Sequence, residues 1–144
     1  MVDKMKPLGA TLRVFLLLGW MFGILLPLAS FRRFSPSYRA AFDWVFHTEA
    51  SHVLMHTFLY AVLACLFAWL FCQSIRSPGR LVAIVLFAVA VVAALQETIQ
   101  MIAEHVPLSS DELFDFFVDL NGGALGLLLF VKRFRRIHTT GTAS

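Results

Sequence analysis

The sequence predicts an all-α, polytopic membrane protein with four transmembrane helices and both termini cytoplasmic, folded as a single domain over residues 1–144. Composition is the first reason: hydrophobic residues make up 59% of the chain and charged residues 15%, and mean hydropathy is +0.78. Water-soluble domains do not carry that balance. The second reason is length, because roughly 20 apolar residues cross a ~30 Å hydrocarbon core and four such stretches nearly exhaust the chain. The third is the placement of charge. Nine of the twelve Lys and Arg residues fall in the N-terminus, in "QSIRSPGR" or in the C-terminal "KRFRR", whereas only Arg32, Arg33 and Arg39 fall elsewhere. By the positive-inside rule those three regions are cytoplasmic and the other two loops face outward. The net charge of +3 therefore reflects topological anchors touching anionic lipid, and nucleic acid is not an expected partner.

The spans are expected at about 13–30, 52–73, 80–103 and 112–132. In the first, Gly19 and Gly23 form a small-xxx-small pair suited to helix packing, and Pro27 is placed to bend its outer end. With Lys4, Lys6 and Arg13 before it, this span could pass for a signal peptide, but its length and the poor cleavage site "PLAS" favour a retained helix. Residues 31–51 mix arginines with Tyr38, Phe42, Trp44 and Phe46, a composition for an outer interfacial segment interrupted by Pro36. Pro78 and Gly79 break the chain between the second and third spans, and Pro107 between the third and fourth. Ser110 or Asp111 is the expected N-cap of the fourth. Cys65 and Cys72 lie seven residues apart, ~10 Å along one helix, so they serve as apolar filler and not as a disulfide.

Polar residues inside these spans follow helical spacing. His52, His56 and Tyr60 recur at i, i+4 and i+8; Glu97, Gln100 and Glu104 share a face of the third helix; Asp115, Asp119, Gly122 and Gly126 form a stripe on the fourth. Counting inward from the basic anchors at ~1.5 Å per residue puts Glu97 and Asp115 ~25 Å above the inner boundary and Tyr60 at ~24 Å. Carboxylates avoid lipid and glycines admit a neighbouring backbone, so the stripe is expected to face other helices. The macrodipole accounts for Asp111 and Glu112 in the first turn, but not for Asp119, two turns further in. These residues predict a polar pocket opening outward, with ligand-binding residues His56, Tyr60, Glu97, Gln100, Asp115 and Asp119. Their alternative use is metal ligation by His52, His56 and Asp115, with Glu97 as general base of an intramembrane hydrolase. A third is assembly, with the acids receiving a basic helix of another protein. No cofactor is specified by these residues, and a homo-oligomer stays open.

The stretch from His52 to Gly126 resembles the VanZ-like family of small bacterial membrane proteins. "HVLMHTFLY" carries His56 and Tyr60 at that family's His and aromatic positions, "ETIQ" supplies its Glu-x-x-Gln, and "PLSSDELFDFFVDLNGGALG" its proline, aspartate and glycine pattern at Pro107, Asp115, Gly122 and Gly126. Three positions depart from it: Ser109 stands where a basic residue is common, Asp119 where asparagine is, and His52 where an acid often is. The resemblance implies a multi-pass protein of the bacterial inner membrane with a cell-envelope role and lowered sensitivity to the glycopeptide teicoplanin; the expected pocket lies at head-group depth, so its expected ligand is a lipid or lipid-linked head group.

Overall fold

A computed structural model describes residues 7–26, 28–107 and 109–140. Among them the chain is helical, with no strand: α1 (Pro7–Leu25), a 3-10 segment (Leu28–Arg33), α2 (Pro36–Val45), α3 (Glu49–Phe71), α4 (Pro78–Glu104) and α5 (Ser110–Thr140). The expected interfacial segment contains a helix, because Pro36 stands in its first turn, where a missing N–H costs nothing, and the Ser35 side chain accepts from the Tyr38 N–H. Thr48 and Ser51 form a capping box that starts α3. His105, at φ 56° and ψ 36°, turns the chain out of α4. At the start of α5 it is Ser109, and not Ser110 or Asp111, that caps: its hydroxyl accepts from the Asp111 N–H, and its own N–H and hydroxyl donate to Glu112. Glu112 three residues on supplies the reciprocal bond that makes Ser109 the better cap.

Among the described residues three helices, not the expected four, are long and apolar enough to cross a membrane: Glu49–Phe71, Pro78–Glu104 and the Ser110–Arg133 part of α5. The first helix falls short because it ends at Leu25 and not near Ser30, leaving an apolar stretch of Gly9–Leu25. A proline at 27 disfavours helix in the residue before it. Pro27 itself, like Lys4 and Lys6, lies outside the described residues. Polarity is inverted relative to a soluble domain. Phe15, Phe22, Leu54, Phe87, Ile102 and Phe117 are exposed, whereas Arg13, Glu97 and Asp119 are buried. Such apolar exposure suits a lipid solvent and would aggregate in water.

The bundle is organised on α3. α5 lies against it in parallel, since Thr57 meets Gly122 and Ala61 meets Gly126 one turn further along both helices. A methyl carbon at Gly122 would sit 2.6 Å from the Thr57 carbonyl oxygen, and one at Gly126 would collide with the Ala61 backbone. Gly123 plays the same part toward α4, where a methyl would meet Val89 at 2.7 Å. α1 runs antiparallel to α3, held by two side chains. The Trp20 indole donates to the Leu59 carbonyl at 2.9 Å, and Arg13 donates to the Trp69 carbonyl at 3.3 Å while its guanidinium covers the Trp69 ring at 4.6 Å. Arg13 thus meets the carbonyl-rich C-terminal end of α3, the negative pole of that helix. Gly19 and Gly23 behave differently from the expectation of helix packing. A methyl at either would meet nothing within 4 Å, because α1 turns other residues, Leu17 and Ile24, into the core.

Two outcomes follow for unfolding in mixed detergent micelles. Gly126→Val should destabilise the bundle by more than about 3 kcal/mol, since the obstacle is rigid backbone, whereas Gly19→Ala should be neutral or stabilising by up to about 1 kcal/mol. Arg13→Ala should cost roughly 2 kcal/mol and loosen α1 alone, seen as faster proteolysis near the 3-10 segment with α3–α5 intact.

Candidate functional site

The helical spacing of α3 places His52, His56 and Tyr60 on one edge, and the parallel register with α5 decides what they meet. His52 Nε2 lies 3.1 Å from Asp115 Oδ2, and His56 Nδ1 lies 2.9 Å from Asp119 Oδ1. Each histidine therefore has an acid opposite it, two rungs of one ladder. The imidazoles stack on each other, centroids 4.4 Å apart and planes 18° from parallel. From Tyr60 the chain of contacts crosses to α4: the phenol donates to Gln96 Oε1 at 3.2 Å, and the Gln96 amide donates to Gln100 Oε1 at 3.0 Å. Glu97 completes the group, with a carboxylate oxygen within 4.8 Å of ligand atoms of both His56 and Asp119. The three helices thus bring His56, Tyr60, Glu97, Gln100, Asp115 and Asp119 to one end of the bundle, opposite the end where Arg13, Arg76, Arg80 and Lys132 gather.

The two rungs differ in environment. The outer pair is partly open, with the His52 side chain 37% and the Asp115 side chain 18% exposed. In the inner pair His56 is 12% exposed and Asp119 not at all. An exposed pair contributes little, but a buried one is costly to break because the survivor is left without compensation. A further cost is visible: Glu97 Oε1 and Asp119 Oδ2 are buried without a hydrogen-bond partner among the described residues. Such atoms are rare in a stable interior.

A cavity of about 530 Å³ opens at this end, between α1, α2, α3 and α4. Its polar floor consists of His52, His56, Tyr60, Gln96 and Gln100, its apolar side of Ile24, Leu25, Leu59, Phe42 and Phe46, and its rim of Arg32, Asp43 and Glu104. Arg32 and Asp43 pair at 2.7 Å and join α2 to the 3-10 segment. Three expected lining residues stand elsewhere. Asp115, Asp119 and Glu97 do not line the cavity, whereas His52 and His56, to which Asp115 and Asp119 are bonded, do. Gln96 was not anticipated, since the spacing argument followed Glu97 and Gln100 at i, i+3; its own i, i+4 relation to Gln100 was the available signal. The contribution of α2 had no signal beyond its aromatic composition. Gly23 lines the mouth, which gives it a place at the cavity edge and not at a helix contact. Comparison with protein-family models, with curated proteins and with solved structures returns no match for the chain.

His56→Ala should destabilise the bundle by roughly 3 to 5 kcal/mol, because Asp119 would stay buried with no partner. The double variant His56→Leu/Asp119→Leu should recover most of that loss, and His52→Ala should cost less than about 1 kcal/mol. Unfolding in detergent micelles measures all three.

Proposed function

We propose that this chain is a multi-pass protein of the bacterial inner membrane that receives the polar head of a lipid or lipid-linked envelope component in its outer-end cavity. In this reading α1 crosses the membrane as a fourth, short span, and the basic end of the bundle is cytoplasmic. The observation that carries it is the mixed lining of the cavity. Hydrogen-bonding side chains of α3 and α4, His52, His56, Tyr60, Gln96 and Gln100, share one space with the apolar and aromatic Ile24, Leu25, Phe42, Phe46 and Leu59, the two kinds of surface an amphiphile needs. Asp115, Asp119 and Glu97 are not part of the lining, so the floor presents two amides, a phenol and two imidazoles. A sugar or amide head group fits that set better than a bare phosphate, which would call for an unpaired cation where Arg32 is already engaged by Asp43. The VanZ-like resemblance adds the cell envelope as setting and lowered teicoplanin sensitivity as consequence.

The hydrolase alternative is less well served, because Glu97 is buried beneath the floor and has no direct access to a water in the cavity. An assembly role based on the acids needs them open to a partner helix, and only Asp115 is partly so.

Native mass spectrometry after mild-detergent extraction is the test. The wild-type chain should retain a polar-headed lipid, and Gln96→Leu/Gln100→Leu should reduce that retention about tenfold or more, two lost buried hydrogen bonds at ~1 kcal/mol each. The lipid-facing variant Phe58→Leu should leave it unchanged. An identical lipid complement in all three chains would overturn the reading. In cells, expression should lower teicoplanin sensitivity and the double variant should abolish the effect.

A further inference from the structure

Glu97 and Asp119 are 5% and 0% exposed, and each keeps one buried oxygen with no partner among the described residues. A protein interior does not hold unpaired carboxylate oxygens without cost, and such atoms call for an explanation beyond packing. Their surroundings supply one. His56, Glu97 and Asp119 each offer a ligand atom, and the three atoms lie within 4.8 Å of one another. The residues come from three different helices, α3, α4 and α5, so their convergence is tertiary and not a by-product of local spacing.

We propose that His56, Glu97 and Asp119 form a binding site for one divalent transition-metal ion of the Zn²⁺ class, set beneath the cavity floor. The donor set selects the ion. One imidazole nitrogen and two carboxylate oxygens match zinc and its first-row neighbours, whereas Ca²⁺ takes six to eight oxygens and Mg²⁺ keeps most of its waters. Three side-chain ligands leave one position of a tetrahedron open. Ligand distances of 2.0 to 2.2 Å place tetrahedral donor atoms about 3.4 Å apart. The present atoms are within 4.8 Å, so binding would draw them together by about 1.4 Å at most. Charge agrees as well: a dication balances two carboxylates, and among the described residues no Lys or Arg pairs with either.

A second group, His52, His56 and Asp115, also lies within 4.8 Å. Each group contains a His–Asp pair, but the inner one is the better site, because Asp115 is partly exposed whereas Glu97 and Asp119 are buried and each keeps one buried oxygen without a partner among the described residues. His52 then acts as a positioning residue, its ring stacked on that of His56. This site goes beyond the head-group reading and does not depend on it.

The test uses the full chain in detergent micelles, stripped with a chelator and titrated with Zn²⁺, and with Co²⁺ for its visible absorption. One ion per chain is expected, with a Co²⁺ spectrum of low coordination number. Glu97→Gln and Asp119→Asn should each weaken binding by about 100-fold or more, while Asp115→Asn should cost less than about tenfold. Saturating Zn²⁺ should raise the thermal midpoint of the wild-type chain but not of Glu97→Gln. Failure of the wild-type chain to bind stoichiometrically, or loss confined to His52→Ala and Asp115→Asn, would overturn the assignment. If Glu97→Gln does not fold, the wild-type Co²⁺ spectrum and thermal shift decide by themselves, and absence of both ends the proposal. Lipid retention, read separately, is not expected to follow the metal.

Discussion

The close approach of α5 to α3 is the constraint on which the rest of the molecule depends. Gly122 and Gly126 remove the side chains that would hold the two backbones apart, and the facing residues are Thr57 and Ala61, themselves small. In lipid there is no hydrophobic force between apolar helices, so association rests on such contact and on interhelical hydrogen bonds. Once the glycine rungs are seated the helices cannot slide. One turn toward the other end, the same register sets His56 against Asp119, and a further turn sets His52 against Asp115. A shift by a single residue would point each acid away from its histidine, so packing and chemistry are fixed together.

The remaining elements attach to this pair in order of decreasing tightness. α4 joins through Gly123 against Val89 and through the Tyr60–Gln96 bond. α1 is held by Trp20 and Arg13, each giving a hydrogen bond to a carbonyl of α3. α2 is tied to the 3-10 segment by the Arg32–Asp43 pair and reaches the bundle by a run of aromatic contacts from Tyr38 through Phe42 and Phe46 to His52. Loosely attached elements are those best able to move. The cavity lies between the tight part and the loose part, with its hydrogen-bonding floor on α3 and α4 and apolar lining from α1, α2 and α3.

That division also explains why the site separates into two layers. Histidines and amides line the open space, and the carboxylates of Glu97, Asp115 and Asp119 do not. Buried acids are stable only when a cation or hydrogen-bond donors compensate them. His56 compensates one oxygen of Asp119, and the orphaned oxygens of Asp119 and Glu97 mark where compensation is incomplete. In a bilayer, where every unsatisfied polar group is costly, such atoms are the strongest pointer to a bound species.

Much of this was legible in the sequence, and for simple reasons. Helical periodicity put His52, His56 and Tyr60 on one face, and Asp115, Asp119, Gly122 and Gly126 on another, because 3.6 residues per turn leaves little freedom. Distance from basic anchors placed them at one height. The sequence could not decide what lies in front and what behind: whether Asp119 faces a cavity or hides beneath His56 depends on rotation of α5 about its axis, which the glycines settle only once α3 is present. Nor could it assign Gly19 and Gly23, since a glycine pair permits a close approach without supplying the partner. The role of Gln96 belonged to tertiary structure for the same reason, whereas the helix started by Ser35 and Pro36 had a local cause in the sequence. Local spacing fixes which side chains share a face, and only packing between helices fixes what that face meets.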